Sequence, residues 1–412
     1  MAWSGIQYNP NIEGIVNKAR AMTCEDWLGH CGHIDLMKRA GHNLAGPCPK
    51  CGGEDRFGVD TAQDKWLCRG CGVGGPDAIS MVILLWDRKA DGTPFSEKAG
   101  VKFVEVCEFM TGESRGQAID QAELDRRDAA FKEKREKQAQ FAEAQRRKSM
   151  EAAMRLWSMG RPAGEHIRRY HEIRGLDPDV SRLLTVRELD SLEYWHDMAP
   201  KGSKTKDMKC LHRGPAMLCV VIDSAGKFAG VHRTWLDPNG KKGKAVIMLP
   251  GEVPEALDSK KMLGSLADGA IRMITPKDAA GNITATRMVI GEGYETSMTP
   301  ARFEARADTA YWCAVSMGHL AGRAAKDQET NRPVPDVPDM DDERAFMVPD
   351  WVRELVLLVD GDSDPKKTMQ AMTRAARRAK WRRPDNLVVR LAYPGNGVDW
   401  NDLAMKEEEK KP

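Results

Sequence analysis

Two cysteine pairs, Cys48-Pro-Lys-Cys51 and Cys68-Arg-Gly-Cys71, constrain this chain more than any other feature. Each CxxC forms one knuckle, and two knuckles can surround a single tetrahedral Zn²⁺ at about 2.3 Å per sulfur. Gly52, Gly53, Gly70, Gly72, Gly74 and Gly75 suit the tight turns around them, where a side chain would be costly at positive φ. A redox CxxC is the rival reading, but a pair of them at ribbon spacing favours one structural zinc. The other six of the ten cysteines are scattered and no secretion signal precedes them, so a disulfide framework is not indicated. Cys24, Cys31, His30, His33 and His42 lie nearby and are expected to be structural or solvent-facing, because four thiolates already close the site.

The rest of the chain is too long for one compact unit: 412 residues imply two or three folded pieces. Residues 1–45 hold an expected amphipathic helix near Ile12 to Trp27, and the cysteine-rich module with its apolar helix Asp77 to Trp86 fills 46–110. Residues 111–160 are rich in Ala, Glu, Lys, Arg and Gln, and from Gln117 to Trp157 carry no Pro and no Gly, which favours a long solvated spacer helix. An α+β subdomain is expected over 161–285, with a β-hairpin from Ala216 to Ile222 and Lys227 to Leu236. Over 286–404, strands at Arg287–Ile290, Thr309–Val315, Leu355–Val359 and Leu387–Leu391 alternate with helices starting near Glu295 and Lys366, which predicts an α/β fold with a parallel sheet. The Pro-rich stretch Arg332 to Pro338 reads as a surface loop, and 405–412 as a charged tail.

Two of those strands end in acids, Met288-Val-Ile-Gly-Glu292 and Leu357-Leu-Val-Asp360-Gly-Asp362. Ligands of open parallel sheets bind outside the carboxyl ends of strands, so Glu292, Asp360 and Asp362 would share one crevice. Two carboxylates about 4 Å apart repel by about 4 kcal/mol at an effective dielectric near 20. Such a cluster calls for protons or for Mg²⁺ or Mn²⁺, which take oxygen ligands jointly with substrate phosphates. Asp399 and Asp402 either lie near the same ions or cap the terminal helix.

These motifs carry a resemblance. Cys48 to Phe57, Lys65 to Gly75 and Asp77 to Ile79 are similar to the zinc ribbon of satellite-phage primase-helicases. Glu292-Gly-Tyr-Glu-Thr296 with Asp360-Gly-Asp362 resembles the two signature elements of the Toprim domain in its phage-primase form, although cellular primases have an acid where Thr296 stands. His166 to Asp177, Gly230 to Asp237, Lys260 to Gly264 and Gly397 to Leu403 extend the likeness to zinc-ribbon Toprim DNA primases of phages and mobile elements. The resemblance implies a ribbon, a helical spacer, a mixed subdomain and a Rossmann-like Toprim domain. It also implies an enzyme making short RNA primers from ribonucleoside triphosphates on single-stranded DNA, with Glu292, Asp360 and Asp362 holding catalytic Mg²⁺ or Mn²⁺. Arg233, Lys260 and Lys261 would contact template or nucleotide, since the resembling proteins carry basic residues in the subdomain before the Toprim fold. A Toprim nuclease or topoisomerase-like enzyme is the alternative, as is a DNA-clamping recombination mediator. A topoisomerase needs a tyrosine on a separate module, which none of the six tyrosines suggests; a clamp does not need three converging acids.

Net charge is +2, so only local clusters can argue for nucleic acid. The helix from Lys366 offers Arg374, Arg377 and Arg378 as a phosphate stripe or as an ordinary solvated face; Lys241, Lys242 and Lys244 read as a solvated turn or a phosphate loop; Trp66 and Trp235 are the candidate stacking platforms. The apolar run Ile79 to Trp86 is far below the roughly 20 residues of a membrane helix, and the chain reads as cytoplasmic. No G-x-x-x-x-G-K-[ST] string occurs, so unwinding is expected from a separate replicative helicase.

Overall fold

The computed structural model describes residues 10–116, 119–199, 207–251, 255–304, 306–327 and 332–409. They fall into two compact units, one of residues up to 145 with 196–209, the other of 146–195 and 210 onward.

In the first unit the expected amphipathic helix is two helices, α1 (Pro10–Ala21) and α2 (Cys24–His30). Thr23 breaks them apart because its hydroxyl accepts from the Asp26 amide while Asp26 accepts from the Thr23 amide, a reciprocal cap that starts a new helix. A five-stranded antiparallel sheet follows, β1 (Lys38–Ala40), β2 (Asn43–Cys48), β3 (Gly52–Asp60), β4 (Lys65–Cys68) and β5 (Val73–Gly75), in that order. The ribbon thus begins before residue 46. Asp77 caps α3 (Ala78–Leu85), and α4 (Ala99–Thr111) covers it. Ile15, Trp27 and Leu28 share one core with Phe57, Trp66 and Met81, so the N-terminal segment and the ribbon fold as one body.

Helix α5 runs from Gln121 to Met159, the spacer read from composition, but neither end is simply solvated. Arg127 is 8% exposed and bonded to Glu113 and Glu123, and Lys134 pairs with Asp64 at 2.7 Å. Further along, Ala153 is buried with Leu218 and Val231 of the second unit's sheet.

The second unit holds β6 (Arg161–Pro162), α6 (Glu165–Ile173), β7 (Val186–Asp197), β8 (Met208–Ile222), β9 (Phe228–Trp235), β10 (Ile247–Leu249), β11 (Glu255–Leu257), β12 (Lys260–Gly264) and β13 (Ala270–Ile274). Then come β14 (Arg287–Gly291), α7 (Tyr294–Glu304), β15 (Thr309–Cys313), α8 (Met317–Ala321), β16 (Ala324–Lys326), β17 (Pro333–Pro338), β18 (Glu354–Leu358), α9 (Pro365–Arg382), β19 (Val388–Ala392) and α10 (Trp400–Glu409). One sheet runs β12-β9-β8-β13-β15-β14-β18-β19, with β7 added beside β8. Its β15-β14-β18-β19 half is parallel and the rest antiparallel, joined where β13 pairs with both β8 and β15. Residues on either side of 285 therefore share a single hydrogen-bonded sheet.

The Pro-rich segment is a strand rather than a loop: β17 pairs with β16 as a two-stranded edge ribbon, a position that tolerates residues lacking an amide hydrogen. Three arginines of α9 hold this ribbon and the turn after it. Arg374 donates to the Gly322 and Pro335 carbonyls, Arg377 to Asp336, and Arg378 to the Asp339 and Asp342 carbonyls. Arg374, Arg377 and Arg378, read from sequence as either a phosphate stripe or a solvated face, are instead a structural clamp.

Candidate active site and zinc centre

In the first unit the sulfurs of Cys48, Cys51, Cys68 and Cys71 lie within 4.8 Å of one another. Cys48 and Cys71 are 3.8 Å apart, Cys51 and Cys68 3.6 Å. Tetrahedral bonds of about 2.3 Å require sulfur separations near 3.8 Å, so the cluster fits zinc without rearrangement. Backbone amides of Lys50 and Cys71 donate to the Cys48 and Cys68 sulfurs, fixing the knuckles from outside. The neighbouring residues play other parts: the Cys24 thiol donates to the Asp64 carbonyl, and His33 bonds the Pro47 carbonyl.

In the second unit the parallel pairing Ile290↔Leu357 sets Glu292, just beyond β14, beside the segment leaving β18 toward Asp360 and Asp362. Gly361 allows that segment to turn. A side chain there would meet the carbonyls of Gly395 and Val398 at 2.3 Å, and the Gly361 carbonyl accepts from the Gly397 amide at 2.7 Å. The loop carrying Asp399 is thereby pressed against the loop carrying Asp360. Trp400 secures it, its indole donating to the Val359 carbonyl at 3.0 Å, and the buried Asn401 side chain donates to the Arg174 carbonyl at 2.8 Å. Asp399 also accepts from the Asn401 amide at 3.0 Å, so it serves the start of α10 while facing the acids; Asp402 is exposed.

The acids repel one another. Burial first, then the charges of Asp362, Glu292 and Asp399, push the Asp360 carboxyl up to about 6, with Lys260 opposing. Burial likewise raises Glu292, against the pull of a hydrogen bond from the Met317 amide and the charge of Lys260, and Asp362 adds to the rise. Asp399 is raised by burial, with Asp402 and Asp362 adding to it. Among the described residues only the four cysteines bring three or more metal-ligating atoms within 4.8 Å, so the carboxylates face one another across a wider opening. Hard oxygen donors around an opening with room for solvent or phosphate suit Mg²⁺ or Mn²⁺ rather than a closed zinc site.

Beside the acids sits a buried charge node that the sequence did not announce. Glu295, 4% exposed, pairs with Lys244 at 2.7 Å and Lys260 at 3.5 Å and accepts from the Tyr170 hydroxyl. Burial works against its charge, but Lys260, Lys244 and Tyr170 hold its carboxyl well below the ordinary range. Burial pulls Lys244 down to about 8. Next to it, His171 bonds the Tyr294 hydroxyl at 2.9 Å. Tyr170-His171 of α6 thus dock onto Tyr294-Glu295 of α7, and the expected solvated turn at Lys244 points inward instead. Glu295 is an ion-pair anchor, and two lysines against one glutamate leave a surplus positive charge toward the acids.

The three basic residues grouped from sequence separate. Across the antiparallel pair of β12 and β9, Lys261 lies opposite Arg233 and Lys260 opposite Thr234, so successive residues Lys260 and Lys261 project to opposite faces. Lys260 joins Glu295; Lys261 lies 3.6 Å from the centre of the Tyr194 ring and donates to the Trp195 carbonyl; Arg233 bonds the Lys261 and Met262 carbonyls. Trp66 and Trp235 are 3% and 0% exposed and cannot stack on a strand.

A family model described as a domain of unknown function, DUF7146, matches residues 147–273. No curated protein matches the sequence. Among solved structures the chain is similar to the zinc-binding and RNA polymerase domains of the Aquifex aeolicus primase, at 15% identity and a TM-score of 0.33, over 96% of this chain and 83% of that one. It is similar to a DNA primase domain from Pseudomonas aeruginosa at 14% identity and a TM-score of 0.36, over 63% of this chain and 75% of that one. The primase fragment of the bacteriophage T7 primase-helicase protein matches at 11% identity and a TM-score of 0.30, over 89% of this chain and 97% of that one. Among the described residues no helix is long and apolar enough to cross a membrane.

Proposed function

We propose that the chain is a DNA primase of the zinc-ribbon Toprim type, a nucleotidyltransferase that joins ribonucleotides on a single-stranded DNA template in the replication of a mobile element. The observation that carries this reading is the convergence of Asp360, Glu292, Asp362 and Asp399 at the carboxyl ends of β14 and β18, close enough that their mutual repulsion and burial raise Asp360 to about 6. Glu292, Asp360 and Asp362 would hold Mg²⁺ or Mn²⁺, which supplies charge neutralisation and alignment for phosphoryl transfer. The protein's own share is positional. Parallel strands fix the spacing of the acids, Gly361 lets the Asp399 loop close on them, and the Lys244–Glu295–Lys260 node keeps a positive charge beside the place where a triphosphate would lie. The ribbon, held by Cys48, Cys51, Cys68 and Cys71, would engage template. Arg233 and Lys261, on the sheet face away from Glu295, are assigned to the strand and Lys260 to the nucleotide side. A separate replicative helicase would open the duplex for it in the cytoplasm.

Incubating the purified chain with single-stranded DNA, labelled ribonucleotides and Mg²⁺ tests the proposal. Oligonucleotides should appear, and Glu292→Gln, Asp360→Asn and Asp362→Asn should each lower the yield by about 100-fold or more, the scale for losing an electrostatic stabiliser of a transition state. Cleavage of the DNA without synthesis would favour the strand-breaking alternative, and undiminished synthesis in all three variants would remove the acids from the reaction.

A further inference from the structure

A cavity of about 800 Å³ lies on the α9 face of the second unit's sheet. Its walls include Leu355 and Leu357 of β18 and the residues just before that strand, Pro349 to Trp351, so it opens toward the start of β18, whereas the acids stand beyond the strand's other end. None of Glu292, Asp360, Asp362, Asp399, Lys244 or Lys260 lines it. The volume falls within the range of about 300–1,000 Å³ typical of small-molecule sites.

Four arginines line this cavity, Arg272, Arg378, Arg382 and Arg383, against one acidic residue, the exposed Asp350. Among the described residues none of the four has a carboxylate oxygen within 4.0 Å. Their partners are carbonyl dipoles: Arg382 donates to Met340, Arg383 to Pro349 and Asp350, Arg378 to Asp339 and Asp342, Arg272 to Asp223. Arg378 is 3% exposed, and its Nε, like that of Arg272, is buried with no hydrogen-bond partner. A buried donor on a charged group is costly unless something accepts from it. The same cavity has an aromatic wall. Trp312 and Trp351 meet edge to face at 5.8 Å, with the Arg272 guanidinium 4.6 Å from the Trp312 ring centre.

We infer that this cavity binds a free nucleoside di- or triphosphate, its phosphates taken by the exposed Arg382 and the half-buried Arg383 and its base laid on the half-buried Trp351, at a site separate from the catalytic acids. Arginine is the side chain best shaped for phosphate oxygens, and tryptophan faces accept any base. A nucleotide-sized anion would offset the charge of Arg382 and Arg383, which no carboxylate among the described residues pairs. Because β18 joins the cavity to Asp360 and α9 leads away from the same loop, occupancy would be read at the acid site, so the site suits sensing of the nucleotide pool.

Equilibrium dialysis of the full chain against labelled GTP and ATP in buffer freed of Mg²⁺ and Mn²⁺, with its tightly held metal retained, tests this. Without those ions the acids repel a triphosphate, and binding should report the cavity alone, at about one nucleotide per chain. Arg382→Ala removes an exposed arginine without opening the core, and Ala225→Trp fills the mouth from the exposed turn at Ser224–Gly226. Each should weaken binding by about ten-fold or more, as loss of a charged hydrogen bond does, while Asp360→Asn should leave it unchanged. The inference fails if no nucleotide is retained without those ions, if both cavity variants bind like the wild type, or if Asp360→Asn abolishes binding. It also fails if a short 5′-phosphorylated oligonucleotide binds there and free nucleotides do not, which would make the cavity a holder for a strand end. Loss of primer synthesis with intact binding, or the reverse, separates this site from the proposed activity.

Discussion

Replacing Asp360 by asparagine should make the metal-free protein more stable, because it removes one of several charges that repel each other at the candidate site. An aspartate moved from its ordinary value of 3.8 to about 6 is disfavoured as a folded anion by up to about 3 kcal/mol. Asp360 is only about half buried, so solvent screening leaves roughly 1–2 kcal/mol of that. The sign follows from proton binding. Between about 4 and 6 the folded state holds the proton more tightly than the unfolded chain, so stability falls as pH rises through this window, and the whole penalty is present above about 6. Among the described residues the Asp360 carboxylate accepts no hydrogen bond that an amide would lose. In calorimetry at pH 7.5 without Mg²⁺, Asp360→Asn should therefore raise Tm of the second unit by about 2–8 °C, at 2–4 °C per kcal/mol for a unit of this size. At pH 5 the gain should shrink. Millimolar Mg²⁺ should raise the wild-type Tm and leave the variant nearly unmoved, since binding to the folded state stabilises in proportion to RT ln(1 + [L]/Kd). A variant less stable than wild type at pH 7.5 without Mg²⁺, with the same response to Mg²⁺, would refute both the repulsion among the acids and their role as a cation site.

Cys48→Ser or Cys71→Ser should each release about one zinc per chain, measured by metal analysis, and unfold the ribbon together with α1 and α2, seen as loss of hydrogen-exchange protection across that shared core. Gly361→Ala should cost about 1–3 kcal/mol by overpacking against two backbone carbonyls and should also blunt the Mg²⁺-dependent Tm shift, because the Asp399 loop is displaced; an unchanged Tm would mean the loops are free to separate.

Elements whose signal is local were legible in the sequence. The apolar runs that became β8, β9, β14, β15, β18 and β19 announce themselves, and so do the knuckle spacing and the composition of α5. What escaped notice depends on partners far along the chain. Nothing near Lys244 says that its ammonium is buried, because its counter-ion Glu295 lies on another element and meets it only when α6 and α7 dock through Tyr170. Likewise Arg374, Arg377 and Arg378 have the spacing of a phosphate-binding face, yet their acceptors are carbonyls of residues 322–342 that a one-dimensional pattern cannot bring to α9. The Thr23 cap was the exception: the box Thr23-Cys-Glu-Asp26 is local and was readable, but the apolar period running through it masked the break.

The single sheet explains why the two sides of residue 285 need one another. β12 contributes Lys260, and the strands from β12 to β13 lead without interruption to β15 and β14, whose carboxyl end carries Glu292. Lys260 is brought toward the acids by its ion pair with Glu295, three residues past Glu292 in the first turn of α7. Asp360 feels the charge of Lys260. An isolated segment of residues 286–404 would keep Glu292, Asp360 and Asp362 but lose both lysines. Its acids would face one another without Lys244 and Lys260 beside them, and Glu295 would lose both ion pairs and its Tyr170 partner. The antiparallel strands are in this sense part of the acid site: cutting the chain at 285 should deepen the repulsion among the acids, push Asp360 further up and remove the positive charge offered to a triphosphate, even where the parallel half folds.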